Sequence, residues 1–168
     1  MVEPRIQFEP VVARVLEHFA LPLSSIHGPV HWARVLENGM RLAPLTGADP
    51  LVVSLFSIFH DSCRLNDHAD IFHGPRAAVL IRSMNLGLTD TQRDLLMRAC
   101  AGHTNTFHSS NGTVATCWDA DRLDIGRVGP VVNPIFLSTE AAKDPGIRAW
   151  AQDRAERGEV PDFAMNFL

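Results

Sequence analysis

The sequence predicts an all-α single domain, and three observations carry that reading. Apolar residues recur at helical spacing in one segment after another, strand-like alternation is nearly absent, and several periodic segments open on a capping residue or a first-turn proline. Six or seven helices follow. The first covers residues 9–20, with Pro10 in the tolerated first turn and Val11, Val12, Val15, Leu16 and Phe19 on one face. After the loop LPLSSIHG, Pro29 opens a second helix to residue 45, carrying Val35, Leu36, Met40 and Leu42. Asp49-Pro50 is a cap followed by a helix-starting proline, and it opens LVVSLFSIFHD, the most apolar segment. Its β-branched residues would also suit a strand. The cap, the proline and the length favour a helix buried on nearly all sides. The polar loop RLNDHADIFHG leads to Pro75 and a fourth helix over 75–86. Thr89 with Gln92 forms a capping box that starts a fifth helix ending near residue 103. A sixth is expected over 114–128, and a last one over 147–157 in a tail rich in Pro and Gly.

With 168 residues, 46% of them hydrophobic and 20% charged, the chain suits one soluble domain with a sizeable core. No repeat or long linker divides it. A net charge of −4 argues against a general nucleic-acid-binding surface. It leaves room for a single phosphate held by a few arginines, and of the 15 basic residues only Lys143 is a lysine. Cys63, Cys100 and Cys117 have no zinc-binding spacing and read as reduced thiols, which predicts a cytoplasmic location. The start MVEPRIQFEP lacks an apolar leader segment, and no run approaches the ~20 apolar residues of a membrane span.

Function is sought where a polar group falls on a face that should be apolar. The third helix is almost wholly apolar yet ends in His60-Asp61. An ionised carboxylate at the end of a buried helix costs several kcal/mol, of order 3 to 5, unless it is paired or bound to metal. In the sixth helix Val114, Cys117, Trp118, Ile125 and Val128 mark the inner stripe, and Asp121 falls on it. Asp119 and Arg122 fall on the opposite face, and Asp124 near the stripe's edge. His103 continues the inner face of the fifth helix, and His31 lies one turn before Val35 in the second. Each alone has an ordinary explanation: a core histidine, a solvated aspartate, or an Asp121 paired with Arg34 or Arg76. Together they form a ligand set of neutral imidazoles and carboxylates that suits Zn, Mn, Fe, Co or Ni.

With these residues in place, the chain resembles the HD superfamily of metal-dependent phosphohydrolases over residues 26–127. The defining order is an early His, then His-Asp, then a late Asp, here His31 in HGPVHWARV, His60-Asp61 in LFSIFHDSCRL and Asp121 in CWDADRLDIGR. HGPRAA around His73 and RACAGHT around His103 match subgroups that hold two metals. The resemblance implies a helical core over 26–128 with the tail 129–168 packed on it. It implies His31, His60, Asp61 and Asp121 on a first divalent metal. It also implies Asp61 as a bridge to a second ion held by His73 and His103, a binuclear centre. Where many members have His-Asp-x-Gly-Lys, this chain has His60-Asp61-Ser62-Cys63-Arg64, so Arg64 takes the lysine's place. His27 lies one turn before His31, where it would line the pocket or support a ligand. His68 and His108 read as exposed.

The leading expectation is a hydrolase acting on a small phosphorylated substrate, a nucleotide among the candidates. Asp61 and Arg64 are the expected catalytic residues, and Arg64, Arg76, Arg127 and His27 the expected substrate contacts. Two alternatives stay open. One is a di-iron oxygenase of the same superfamily that cleaves a C–C or C–P bond. The other is a non-catalytic metal-binding regulatory module. Oligomeric state and the role of the tail VPDFAMNFL stay open as well.

Overall fold

A computed structural model describes residues 8–165, so expectations for residues 1–7 and 166–168 lie outside the described residues. The described fold is all-helical: α1 (Phe8–Leu16), α2 (Pro29–Thr46), α3 (Pro50–Phe59), α4 (His73–Ser83), α5 (Asp90–Gly102), α6 (Gly112–Arg122), α7 (Glu140–Lys143), α8 (Pro145–Glu156) and α9 (Asp162–Met165). Short 3-10 turns at Ile125–Val128 and Pro134–Phe136 link α6 to α7. Among the described residues, no helix is long and apolar enough to cross a membrane, and the three cysteines are free thiols.

The apolar run after Pro50 is the central helix. The Asp49 carboxylate accepts from the backbone N–H groups of Leu51 and Val52, capping α3, and Val52 through Phe59 are all buried. They pack among α1, α2, α5 and α6. Each large side chain removed from water here contributes about 1.5–3 kcal/mol. α5 begins with the expected capping box, Thr89 and Gln92 bonding reciprocally. Close helix approach depends on missing side chains. A Cβ on Gly39 would lie 2.4 Å from Val53 Cγ1, so this glycine lets α2 settle against α3.

The bounds of three helices differ from the periodicity. α1 stops at Leu16, because the 3-10-type bonds from His18 N–H to Val15 and from Phe19 N–H to Leu16 tighten the chain. Phe19 then packs edge-on against Trp32 at 5.1 Å. α4 starts at His73, two residues before its proline, and ends at Ser83. α6 ends at Arg122, not near residue 128, and the 3-10 turn finishes at Gly129, whose φ of +106 suits glycine.

The C-terminal segment lies across α2 and α6 and closes a second core of Leu42, Leu123, Val132, Leu137, Ala142, Ile147 and Ala151. Arg154 bonds Asn38 Oδ1 at 3.2 Å, and Arg34 donates to the Glu159 carbonyl at 2.8 Å. Ala164 of α9 is buried, and α9 packs against α2.

This segment also buries the outer face of α6. Asp119 does point away from the inner stripe of α6, yet that face is covered and Asp119 is 0% exposed. Its carboxylate accepts from Ser138 N–H, Thr139 N–H and Thr139 Oγ1–H, each at 2.8 Å. Burial raises its pKa, and those three donors offset part of the rise. Asp119→Ala is therefore expected to lower stability by about 3 kcal/mol, because it strands buried donors, while leaving metal content intact. Asp121→Ala should do the reverse. Urea unfolding and metal analysis of the two purified variants check this, and metal loss in Asp119→Ala would contradict it.

Candidate metal centre

Four helices deliver side chains to one buried point. His31 comes from the first turn of α2, His60 from the end of α3 with Asp61 just after it, His73 from the start of α4 and His103 from the end of α5. All five are buried. Asp121, on the last turn of α6, is the least covered, with 19% of its side chain exposed at the rim. Every metal ligand expected from the sequence is thus in one cluster.

The imidazoles are arranged in two facing pairs. His31 Nε2 and His60 Nε2 lie 3.0 Å apart, and His73 Nε2 and His103 Nε2 lie 2.9 Å apart. Asp61 spans the pairs. Its Oδ2 is 3.5 Å from His31 Nε2 and 3.6 Å from His60 Nε2, while its Oδ1 is 3.1 Å from His73 Nε2 and 3.6 Å from His103 Nε2. Asp121 Oδ1 joins the first pair, at 3.3 Å from His31 Nε2 and 3.6 Å from His60 Nε2.

The opposite ring nitrogens fix the tautomers. His60 Nδ1–H donates to the Phe56 and Ser57 carbonyls at 3.1 and 3.0 Å, and His103 Nδ1–H to the Cys100 carbonyl at 2.7 Å. His73 Nδ1–H donates to the Asp70 carbonyl, and His31 Nδ1–H to Asp124 Oδ2 at 2.7 Å. A carbonyl only accepts, so the proton of each neutral ring sits on Nδ1 and each Nε2 presents a lone pair. Two lone pairs about 3 Å apart repel unless a positive centre lies between them, either a proton or a metal ion. Two nitrogens about 2.1 Å from a common ion and at right angles lie about 3.0 Å apart, so the spacing fits a divalent transition metal. Two groups that could each hold an ion, His31–His60–Asp61 and Asp61–His73–His103, share the one carboxylate.

The electrostatics of His60, Asp61 and Asp121 agree with ligand chemistry. Burial pushes His60 down to about 3, against the pull of Asp61 and Asp121, so its ring is neutral. Burial alone would raise the Asp61 carboxyl. The surrounding His60, His103, His73 and His31 outweigh it and hold Asp61 well below the usual carboxylate range. Asp121 is lowered in the same way, with His31 and His60 overcoming its burial. His103 is raised, because the Asp61 hydrogen bond and the nearby carboxylates outweigh burial.

Asp124 is a supporting residue that periodicity left at the edge of its stripe. It is 1% exposed and binds His31 through Oδ2, while Arg34 Nε donates to Oδ1 at 2.7 Å. The available signal was its position three residues after Asp121, one helical turn on. Arg34 belongs to Asp124 and Arg76 to Asp70, so neither arginine takes Asp121. Asp124→Ala should weaken metal binding at the His31 half by 10- to 100-fold, the usual cost of losing a carboxylate that orients a ligating histidine. Competition with a chelating dye would measure it, and unchanged affinity would contradict this role.

The expected substrate contacts divide. Arg64 Nε donates to Asp61 Oδ1 at 3.0 Å, so it stands beside the cluster. Arg76 clamps the loop before α4, donating to the Cys63 carbonyl at 3.0 and 2.9 Å and to Asp70. Arg127 donates to the Ile26 carbonyl at 2.9 Å and stays 3.9 Å from Asp124 Oδ2. His27 is buried beside His31, ring to ring at 6.4 Å, and its Nδ1 bonds Asp67 Oδ1 at 2.9 Å. Asp67 is 40 residues from His27, so no local pattern announces this pair. His68 and His108 are exposed. No family model, no curated protein and no solved structure matches the chain.

Proposed function

We propose that the chain is a metal-dependent phosphohydrolase of the HD type acting on a small phosphoester. The observation that carries the reading is the pair of facing Nε2 atoms on each side of Asp61, all buried and all with Nδ1 committed elsewhere. A divalent cation bound there would polarise a phosphoryl oxygen and lower the pKa of a water molecule.

The chain's own residues do the rest. Carbonyls of Phe56, Ser57, Asp70 and Cys100, with the Asp124 carboxylate, hold the four rings in one tautomer. Preorganised ligands of this kind cost no reorganisation during reaction. Arg64 holds Asp61 in place and brings a guanidinium to the edge of the cluster, where it would neutralise charge on a phosphoryl group. In the overall reaction a water oxygen bonds to phosphorus, the P–O bond to the alcohol breaks, and the alcohol leaves with a proton.

The shared carboxylate between two imidazole pairs also favours a second reading, oxidative cleavage by a di-iron pair. Metal analysis of anaerobically purified protein, followed by phosphate-release assays under argon, separates the two. Hydrolysis predicts phosphate release without oxygen, lost in Asp61→Ala. Oxygen uptake with iron bound, and no phosphate release under argon, would overturn it.

A further inference from the structure

We infer that the cavity beside His103 is the subsite for an apolar, ring-sized organic group, so that the substrate is an ester of a hydrophobic alcohol. The inference rests on the hydrolase reading for the word ester, and on the cavity itself for the rest.

The cavity holds about 300 Å³, at the small end of ligand sites. It opens against the second half of the metal cluster. His103 lines it, and so does Thr104, whose Oγ1 is 3.2 Å from His73 Nε2. Its remaining walls come from the loop after α5 and from the segment after α6, chiefly Phe107, Ile125, Val131, Val132 and Phe136. Phe107 and Phe136 lie ring to ring at 5.5 Å, and both are substantially exposed, as is Val131 at 70%. Apolar side chains left in water around a concave opening mark a place where something apolar sits.

Polar recognition within the cavity is limited. Among the described residues that line it, Arg122 is the one permanent charge, and its Nη donors are spent on the walls. Nη1 donates to the Phe107 carbonyl and, at 2.8 Å, to the Phe136 carbonyl, while Nη2 donates to the Thr106 carbonyl and, at 3.5 Å, to the His103 carbonyl. Arg122 thus ties the two walls together. Asn133 Oδ1 is likewise used, accepting from Ile135 N–H at 3.0 Å. A sugar or a polyphosphate would lose water here with few equivalent partners, whereas a hydrocarbon ring would lose only water that gains by leaving.

Two measurements test this with 1-naphthol and two esters, 1-naphthyl phosphate and glycerol phosphate. Wild-type protein should bind 1-naphthol at one saturable site by fluorescence titration. Val131→Asp, which places a carboxylate at a largely exposed position of the wall, should weaken that binding at least about tenfold. Phe107→Ala should also weaken it. Metal-loaded wild type should prefer 1-naphthyl phosphate by about tenfold or more in kcat/KM, and Val131→Asp should erase the preference. Absent 1-naphthol binding, or binding that both variants leave unchanged, overturns the cavity assignment even if both esters are hydrolysed. Binding that the variants weaken, with neither ester hydrolysed, upholds the cavity and overturns the hydrolase reading.

Discussion

Replacing Asp61 with alanine is expected to remove metal from both halves of the centre and to lower phosphate release at least a thousand-fold, an order-of-magnitude figure for losing the charge that organises such a site. The reason is geometric. One carboxylate approaches all four Nε2 atoms, with Oδ2 facing His31 and His60 and Oδ1 facing His73 and His103. Loss of any one imidazole removes one donor from one pair. Loss of Asp61 removes a donor from both, together with the negative charge that offsets a buried cation. Asp61→Asn separates charge from shape, because the amide fills the same space. Metal equivalents per chain, measured for both variants, decide the matter. Alanine protein that keeps one full equivalent would show that the carboxylate serves one half alone.

Gly74→Ala should have the next largest effect, and it should fall on one half of the centre. A Cβ at this position would lie 2.2 Å from the Cys100 carbonyl oxygen and 3.3 Å from His103 Nδ1. The obstacle is backbone, so no side chain can swing aside. Alanine gains up to about 1 kcal/mol over glycine in helix propensity. Forcing α4 away from α5 costs about 3 kcal/mol or more, so the clash wins. The same carbonyl accepts the Nδ1 proton of His103. Displacing it turns that ring and opens the His73–His103 pair. The expected outcome is a lower melting temperature and loss of metal from the second half, with the His31–His60 half retained. Unchanged melting and metal content would contradict the close approach.

These expectations also show how far the sequence could be read. The starts of α2, α3 and α5 were legible because each carries its own signal: Pro29, Asp49-Pro50, the Thr89 capping box. Asp121 was legible because it falls on an apolar stripe with Cys117 and Ile125. The face of Asp119 was read correctly, but its burial was not legible, for a reason periodicity cannot repair. A helix has two apolar surroundings when a distant segment lies on its second face, and here residues 138 and 139 bond the Asp119 carboxylate. The end of α6 was misplaced because Asp124 is committed to His31 and Arg34, contacts about 90 residues away in the chain.

What the sequence by itself determined is therefore local: helix class, the starts of the capped helices α2, α3 and α5, and the residue types that place imidazole or carboxylate on buried faces. Backbone propensity and the 3.6-residue repeat act within a few residues, so they are written in neighbouring positions. What only the tertiary structure decided is mutual: which Nε2 faces which, that Asp61 spans two pairs, that Asp124 orients His31, and that Arg122 ties two distant loop segments together. Each depends on the distance between atoms on separate helices, set by close approaches such as Gly74 on Cys100, and no single stretch of chain contains that distance.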